Sequence, residues 1–262
     1  MNSKARTSSN LLLDRLFGWL RGEHNSIRYR FYHFPLQNLQ YRWARLRGKS
    51  YTEWYAERMD AYAAISKNQP LAAHYLETAK VQLNYMKMKG LQPHHRLLEY
   101  GAGVLRAGVL FIEYLDRDKY TGVDISALRL QKGIALANER GIPRDRYRIE
   151  VLSHARATEL DDSQFDYIWS HDVFCHMPLD EDEACLIALK PHLAPGGKIF
   201  ITYSRADEYK TSKLKDFWYT NDQFRQMCER AGFNCVLQED WYQYRLPESA
   251  DRQEMVILTP AR

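Results

Sequence analysis

From Leu97 onward the chain alternates short apolar runs with longer amphipathic stretches. Arg96–Tyr100, Tyr120–Val123, Tyr147–Leu152, Tyr167–Ser170 and Lys198–Tyr203 are brief and mostly apolar, as strands buried on both faces of a parallel sheet must be. The segments between them carry helix punctuation. Ser126 offers an N-cap to a helix running to Arg140, where Gly141 supplies a left-handed stop and Pro143 blocks continuation. Asp180 is expected to cap a helix before Pro191, and Thr220 with Gln223 forms a T-x-x-Q capping box opening a helix that should end at Gly232. Two late strands follow, near Cys235–Leu237 and Met255–Thr259. Strands alternating with helices predict an α/β fold with a doubly wound, mostly parallel sheet of seven strands.

Residues 1–90 show no strand period and read as a mostly helical N-terminal extension, with breaks at Pro35 and at Asn68–Pro70; residues 91–262 form the sheet domain. The formal net charge of +4 conceals an asymmetry: residues 1–50 hold ten Lys and Arg against Asp14 and Glu23 only. Leu11, Leu12, Leu16, Trp19 and Leu20 share one helical face, and the aromatics from Tyr29 to Trp43 are set among arginines. That composition suits a helical cap on the sheet domain, and equally a peripheral membrane contact through residues 1–50. The apolar run Leu11–Leu20 is broken by Asp14 and Arg15 and is about half of the roughly 20 residues a membrane span needs. No small-residue cleavage site follows it. The four cysteines have neither C-x-x-C nor zinc-finger spacing. These features together lead us to expect a cytoplasmic protein, with membrane-peripheral association as a second location. No nucleic-acid module accompanies the basic segment, so nucleic acid is not the expected partner.

The most informative segment is Arg96 to Gly108, a strand entering a glycine turn and then a helix. Gly101 and Gly103 let the backbone approach a ligand, but a bare G-x-G is common and its context decides. Glu99, at the carboxyl end of the strand, would attract a cationic group and repel a pyrophosphate. Asp124 ends the next strand, 21 residues after Gly103, about the spacing at which an acid accepts hydrogen bonds from ribose hydroxyls. A nucleoside with a positively charged tail satisfies both acids; a nicotinamide dinucleotide does not.

With these residues the sequence resembles the class I S-adenosylmethionine-dependent methyltransferases, which carry an E/D-x-G-x-G loop and a second-strand acid. Phe165–Met177 is similar to the family's fourth strand and following loop, and Leu193–Lys198 to the turn before its fifth strand. The resemblance covers roughly residues 95 to 204, with Ala231–Phe233 and the last strands fitting the family's closing hairpin. It implies S-adenosyl-L-methionine as the cofactor. It implies that Glu99, Gly101 and Gly103 surround the methionine moiety and Asp124 the ribose. Ile125 and the His154–Ala155 pair would lie at the adenine, with Ser170 also on the cofactor. The sequence departs from the pattern at Leu105, where many members have a third glycine, and at His154, where many have an aspartate.

Methyl transfer from a sulfonium is an in-line displacement that alignment and exclusion of water accelerate. An oxygen acceptor must also lose a proton, for which histidine is the natural base. His171 and His176, with Asp172 between them, follow the fourth strand at the carboxyl edge of the sheet, and His176 and His171 are the candidate catalytic residues. The same trio has the residue types of a metal site, but adjacent side chains diverge and no metal is expected. Arg205–Tyr219 has the aromatic and basic composition of a lid over an acceptor, and Ser50–Tyr55 that of a cover over the cofactor. No Asn/Asp-Pro-Pro-Tyr/Phe motif of amino-group modifiers is present. The expectation is methyl transfer to a small-molecule or lipid-like acceptor at oxygen. The alternatives are a non-catalytic module presenting its basic arm to a membrane or protein, and an RNA methyltransferase. The acceptor's identity and the oligomeric state are not legible in the sequence.

Overall fold

Leu97, Leu98, Glu99 and Tyr100 are all buried, because this strand, β1 (Leu97–Tyr100), has a parallel neighbour on each side and helices over its faces. It pairs with β2 (Tyr120–Asp124) on one edge and with β4 (Phe165–Ser170) on the other. The computed structural model describes residues 34–65, 73–152, 160–161, 163–212, 214–244 and 253–261. With β3 (Tyr147–Val151), β5 (Leu193–Ser204), β8 (Phe233–Leu237) and β9 (Gln253–Pro260), the sheet has seven strands in the order β3-β2-β1-β4-β5-β9-β8. All neighbours are parallel except β9, which runs antiparallel to both β5 and β8. The chain winds outward from β1 through β2 to β3, then returns to β4 on the opposite side of β1. Its direction of winding reverses there, and at such a switch point the carboxyl ends of the two central strands open a crevice.

The chain divides into residues 1–49 and 50–262. In the first unit the described part is helix α1 (Phe34–Leu46), which has Pro35 in its first turn, where the missing N–H costs nothing. Leu39, Trp43 and Leu46 are exposed along one stripe of α1, and the Arg47 guanidinium lies 3.6 Å from the Trp43 ring centroid. The predicted amphipathic face from Leu11 to Leu20 and the break at Asn68–Pro70 lie outside the described residues. Among the described residues no helix is long and apolar enough to cross a membrane.

In the second unit, α2 (Tyr51–Ile65) and α3 (Ala73–Met88) precede the sheet. Helix α3 docks through Gln82, whose Oε1 accepts from the buried Trp169 Nε1 at 2.9 Å. It also docks through Tyr85, whose ring meets Trp241 at 4.8 Å and 77°. Helices α4 (Gly108–Tyr114), α5 (Ala127–Glu139), α6 (Leu179–Leu189) and α7 (Asn221–Arg230) alternate with the strands. Ser126 caps α5 by accepting from Arg129 N at 3.2 Å, and Gly141 stops it at φ +71°. The Thr220–Gln223 capping box of α7 is present in both directions. The expected cap at Asp180 is corrected: Pro178 precedes α6 and Asp180 lies in its first turn without a capping bond, because Pro already sets the extended entry. The Arg205–Tyr219 segment also contains an unpredicted hairpin, β6 (Lys210–Ser212) and β7 (Asp216–Trp218), whose three-residue strands are too short to show a period. It leaves the end of β5 through Tyr219 N→Ser204 O, 3.0 Å, and Ala206 N→Tyr219 O, 2.9 Å.

Candidate active site

Three left-handed residues in five build the turn after β1: Gly101 (φ +85°), Gly103 (φ +53°) and Leu105 (φ +55°). Leu105 therefore adopts the glycine-like conformation at the position where the third glycine is missing. Complete burial of its side chain offsets a local cost of about 1–2 kcal/mol. The amides of Gly101 and Ala102 both donate to Val123 O, and Gly103 N donates to Asp124 Oδ2 at 2.8 Å. Asp124 Oδ1 accepts from Ser126 N, also at 2.8 Å, so its carboxylate ties the glycine loop to the start of α5. Burial pushes the Asp124 pKa above the usual carboxylate value, against the pull of Arg129 and these two amides.

Two open cavities of about 570 and 600 Å³ flank this turn and share Gly101, Arg129 and Asp172 as a common wall. The first is largely apolar. Asp124, Ile125, Leu152, Tyr55, Met59 and His176 are in its wall. The second is polar, with Glu99, Thr78, Gln82, Arg106 and His171 in its wall. A Cβ on Gly101 would overlap Val173, and one on Gly103 would come within 2.6 Å of Arg129 Nη2, so the guanidinium lies across the loop only because residue 103 has no side chain. The buried Arg129 Nε has no hydrogen-bond partner among the described residues. Glu99 Oε2 accepts from the Tyr120 hydroxyl, and burial raises the Glu99 pKa to about 8.

Helix α2 is secured over the first cavity. Asp60 Oδ1 accepts from Ser126 Oγ at 2.5 Å and from Leu128 N at 3.3 Å, while Tyr55 stacks beside His176 at 6.1 Å and 25°. His176 Nδ1 lies 3.0 Å from Lys215 O and 3.1 Å from Asp216 Oδ1. Both partners are acceptors, so Nδ1 carries the proton and Nε2 of the neutral ring keeps its lone pair. Partial burial works against charge on His176, but Cys175 and Asp216 outweigh it and hold the pKa well above 6.5.

Residues 98–199 match the family model described as a methyltransferase domain. That segment of the chain is similar to methyltransferase domains, and it holds the glycine turn, Asp124 and the loop of His171 and His176. A Leishmania major S-adenosylmethionine-dependent methyltransferase superposes with a TM-score of 0.60 at 13% identity, covering 79% of this chain and 83% of that one. The Burkholderia thailandensis 1,6-didemethyltoxoflavin-N1-methyltransferase gives 0.55 at 19%, over 71% and 79%. Magnesium protoporphyrin IX methyltransferase from Synechocystis PCC 6803 gives 0.54 at 12%, over 71% and 83%. At these identities the likeness is one of fold. No curated protein matches the chain.

In this chain the sequence-predicted residues are distributed unevenly along the cleft. Asp124 and Ile125 line the first cavity, Glu99 the second and Gly101 both. Gly103 lines neither and acts through its amide. Ser170 lines neither as well: it is fully buried and its hydroxyl donates to Tyr100 O at 3.0 Å. His154 and Ala155 lie outside the described residues. The two histidines part company, His176 facing the first cavity and His171 the second, where it stacks on Trp169 at 6.0 Å and 18°. Asp172 between them takes φ +57° and its amide donates to Thr202 Oγ1 at 2.9 Å, which turns the chain between the two rings. Among the described residues no cluster of three or more His, Cys, Asp or Glu has the arrangement of a metal site. Sequence reading missed Met59, Asp60, Arg129 and Asp216. Only Arg129, five residues after Asp124 on the same face of α5 as the cap, had a local signal that could have found it.

Proposed function

We propose that this enzyme methylates an oxygen of a small or lipid-like organic acceptor, with the acceptor in the first cavity and His176 taking its proton. The observation carrying this reading is the imidazole with Nδ1 engaged by two oxygens, in an apolar cavity beside Asp124. The residues present fit the cofactor. Asp124 has acceptor capacity for ribose hydroxyls beyond its two amides, and Ile125 and Leu152 offer an apolar face to adenine. Glu99 lies where an ammonium would draw its carboxyl back to the charged form, and Arg106 lines the same cavity. The bound cofactor supplies a methyl group on a cationic sulfur, whose charge is lost on transfer. Tyr55 and Met59 exclude water from that exchange. Small acceptors are supported by the Burkholderia structure, which holds 1,6-didemethyltoxoflavin. The free cysteines support a reducing cytoplasmic location. The exposed Leu39–Trp43–Leu46 stripe with Arg42 and Arg45 supports contact of the N-terminal segment with an anionic membrane.

The test is transfer of a labelled methyl group to panels of phenols, carboxylic acids and amines. Methylated phenols or acids, with His176→Ala inactive yet binding S-adenosylhomocysteine normally, are the expected result. Methylation confined to amines, or full turnover by His176→Ala, would overturn it.

A further inference from the structure

The β6–β7 hairpin is bound to the loop that carries His176 by more than proximity. The Tyr51 hydroxyl on α2 lies 2.9 Å from His176 O and 2.7 Å from Leu214 O, its one proton shared between the two carbonyls, bridging the loop and the hairpin turn. Phe217 N donates to Cys175 O at 2.8 Å, and the buried Phe217 ring meets Tyr51 edge-on at 5.7 Å and 82°. These contacts hold Lys215 O and Asp216 Oδ1 against His176 Nδ1. Helix α2, the loop after β4 and the hairpin thus form one cross-linked unit around a single imidazole.

We propose that Asp216 is a positioning residue for His176: from the hairpin it keeps Nε2 turned to the cavity and stabilises the imidazolium that forms when the acceptor's proton is taken. The proposal rests on the reading of His176 as base. In that step the acceptor O–H proton passes to Nε2 while the oxygen–methyl bond forms and the sulfur–methyl bond breaks, and the proton later returns to solvent. The imidazolium needs an anion close by, and Asp216 Oδ1 lies 3.1 Å from Nδ1. Tyr55 from α2 and Cys175 beside His176 also raise the imidazole's pKa. Asp182 from α6 is fully buried, has no hydrogen-bond partner among the described residues, and burial raises its pKa well above the usual carboxylate value. Asp172 is turned toward His171 and Gln253. Lys215 contributes its carbonyl at Nδ1, and its ammonium opposes the imidazolium.

The experiment is an NMR titration of histidine-labelled, full-length enzyme saturated with S-adenosylhomocysteine, the His176 resonance being identified by its loss in His176→Ala. In Asp216→Asn, which keeps an acceptor at Nδ1 without the charge, the His176 pKa should fall by about one pH unit or more. Asp216→Glu should restore part of it, and the acidic limb of kcat/KM on the phenol panel should move with it. An unchanged His176 pKa in folded Asp216→Asn, with His176→Ala inactive, would overturn this proposal alone. Full turnover in His176→Ala would overturn the base reading beneath it. Should Asp216→Asn fail to fold, the Asp216→Glu titration decides: a His176 pKa restored to the wild-type direction supports the pairing, and a pKa lowered by more than one pH unit overturns it.

Discussion

Asp60 accepts a hydrogen bond from the Ser126 hydroxyl at 2.5 Å, joining the helix before the sheet to the residue that caps α5 and whose amide holds Asp124. One carboxylate thus serves the start of α5, because it also accepts from Leu128 N. Asp60→Ala should cost about 1 kcal/mol, the loss of a helix cap, or roughly 2–4 °C in a domain of this size. It should also weaken S-adenosylhomocysteine binding through Ser126 and Asp124. Thermal melts with and without the ligand check both effects, and an unchanged ligand response would detach Asp60 from the cofactor site.

Asp124 offers the cleanest test of the cofactor site. Ligand at about 100 times its Kd should add roughly 2.7 kcal/mol, or about 5–11 °C. Asp124→Asn keeps an acceptor for the glycine-loop amide but loses the charge, and should reduce affinity by about 10- to 100-fold. Calorimetry with S-adenosylhomocysteine reads this directly.

Glu99 carries a pH signature. Its folded pKa, about 8, lies above the ordinary 4.5, so the folded protein binds more protons than the unfolded chain between those values. The contribution of Glu99 to stability is therefore fully present below about pH 4.5 and is lost as the pH rises through 8. Glu99→Gln, neutral at every pH, should flatten that decline in a series of melts from pH 5 to 9 while binding the cofactor less tightly. A decline identical to wild type would show that another group causes it.

His176 must be neutral to accept a proton, and its folded pKa is raised above 6.5. Turnover should accordingly fall as the pH drops through that raised value and reach its plateau only above it. A flat profile between pH 6 and 9 would count against a histidine base.

The exposed stripe of α1 leads to a binding prediction. Replacing Leu39, Trp43 and Leu46 with serine should abolish sedimentation with phosphatidylserine vesicles and leave cofactor affinity unchanged. Sedimentation equal to wild type would remove the membrane role from this helix.

What the sequence determined by itself was local. Short apolar strands, a glycine turn within six residues of β1, an acid at the end of β2 and the Thr220–Gln223 box each declare themselves within about a dozen positions, because buried strands and helix ends constrain residue type locally. Those signals sufficed for the sheet, its winding and the position of Asp124. Where a signal was weaker the edges moved: β5 begins at Leu193, five residues before the predicted Lys198, because Leu193 pairs with Phe165 ahead of an irregularity that skips Ala194–Gly197. Only the tertiary structure decided which groups meet. His171 and His176 look alike in sequence, and the left-handed turn at Asp172 sends them to different cavities. Asp60 reaches Ser126 across 66 residues, and His176 Nδ1 meets Lys215 O across 39. Such contacts depend on how separate elements pack, and a helix or a three-residue strand carries no mark of the partner its side chain will find.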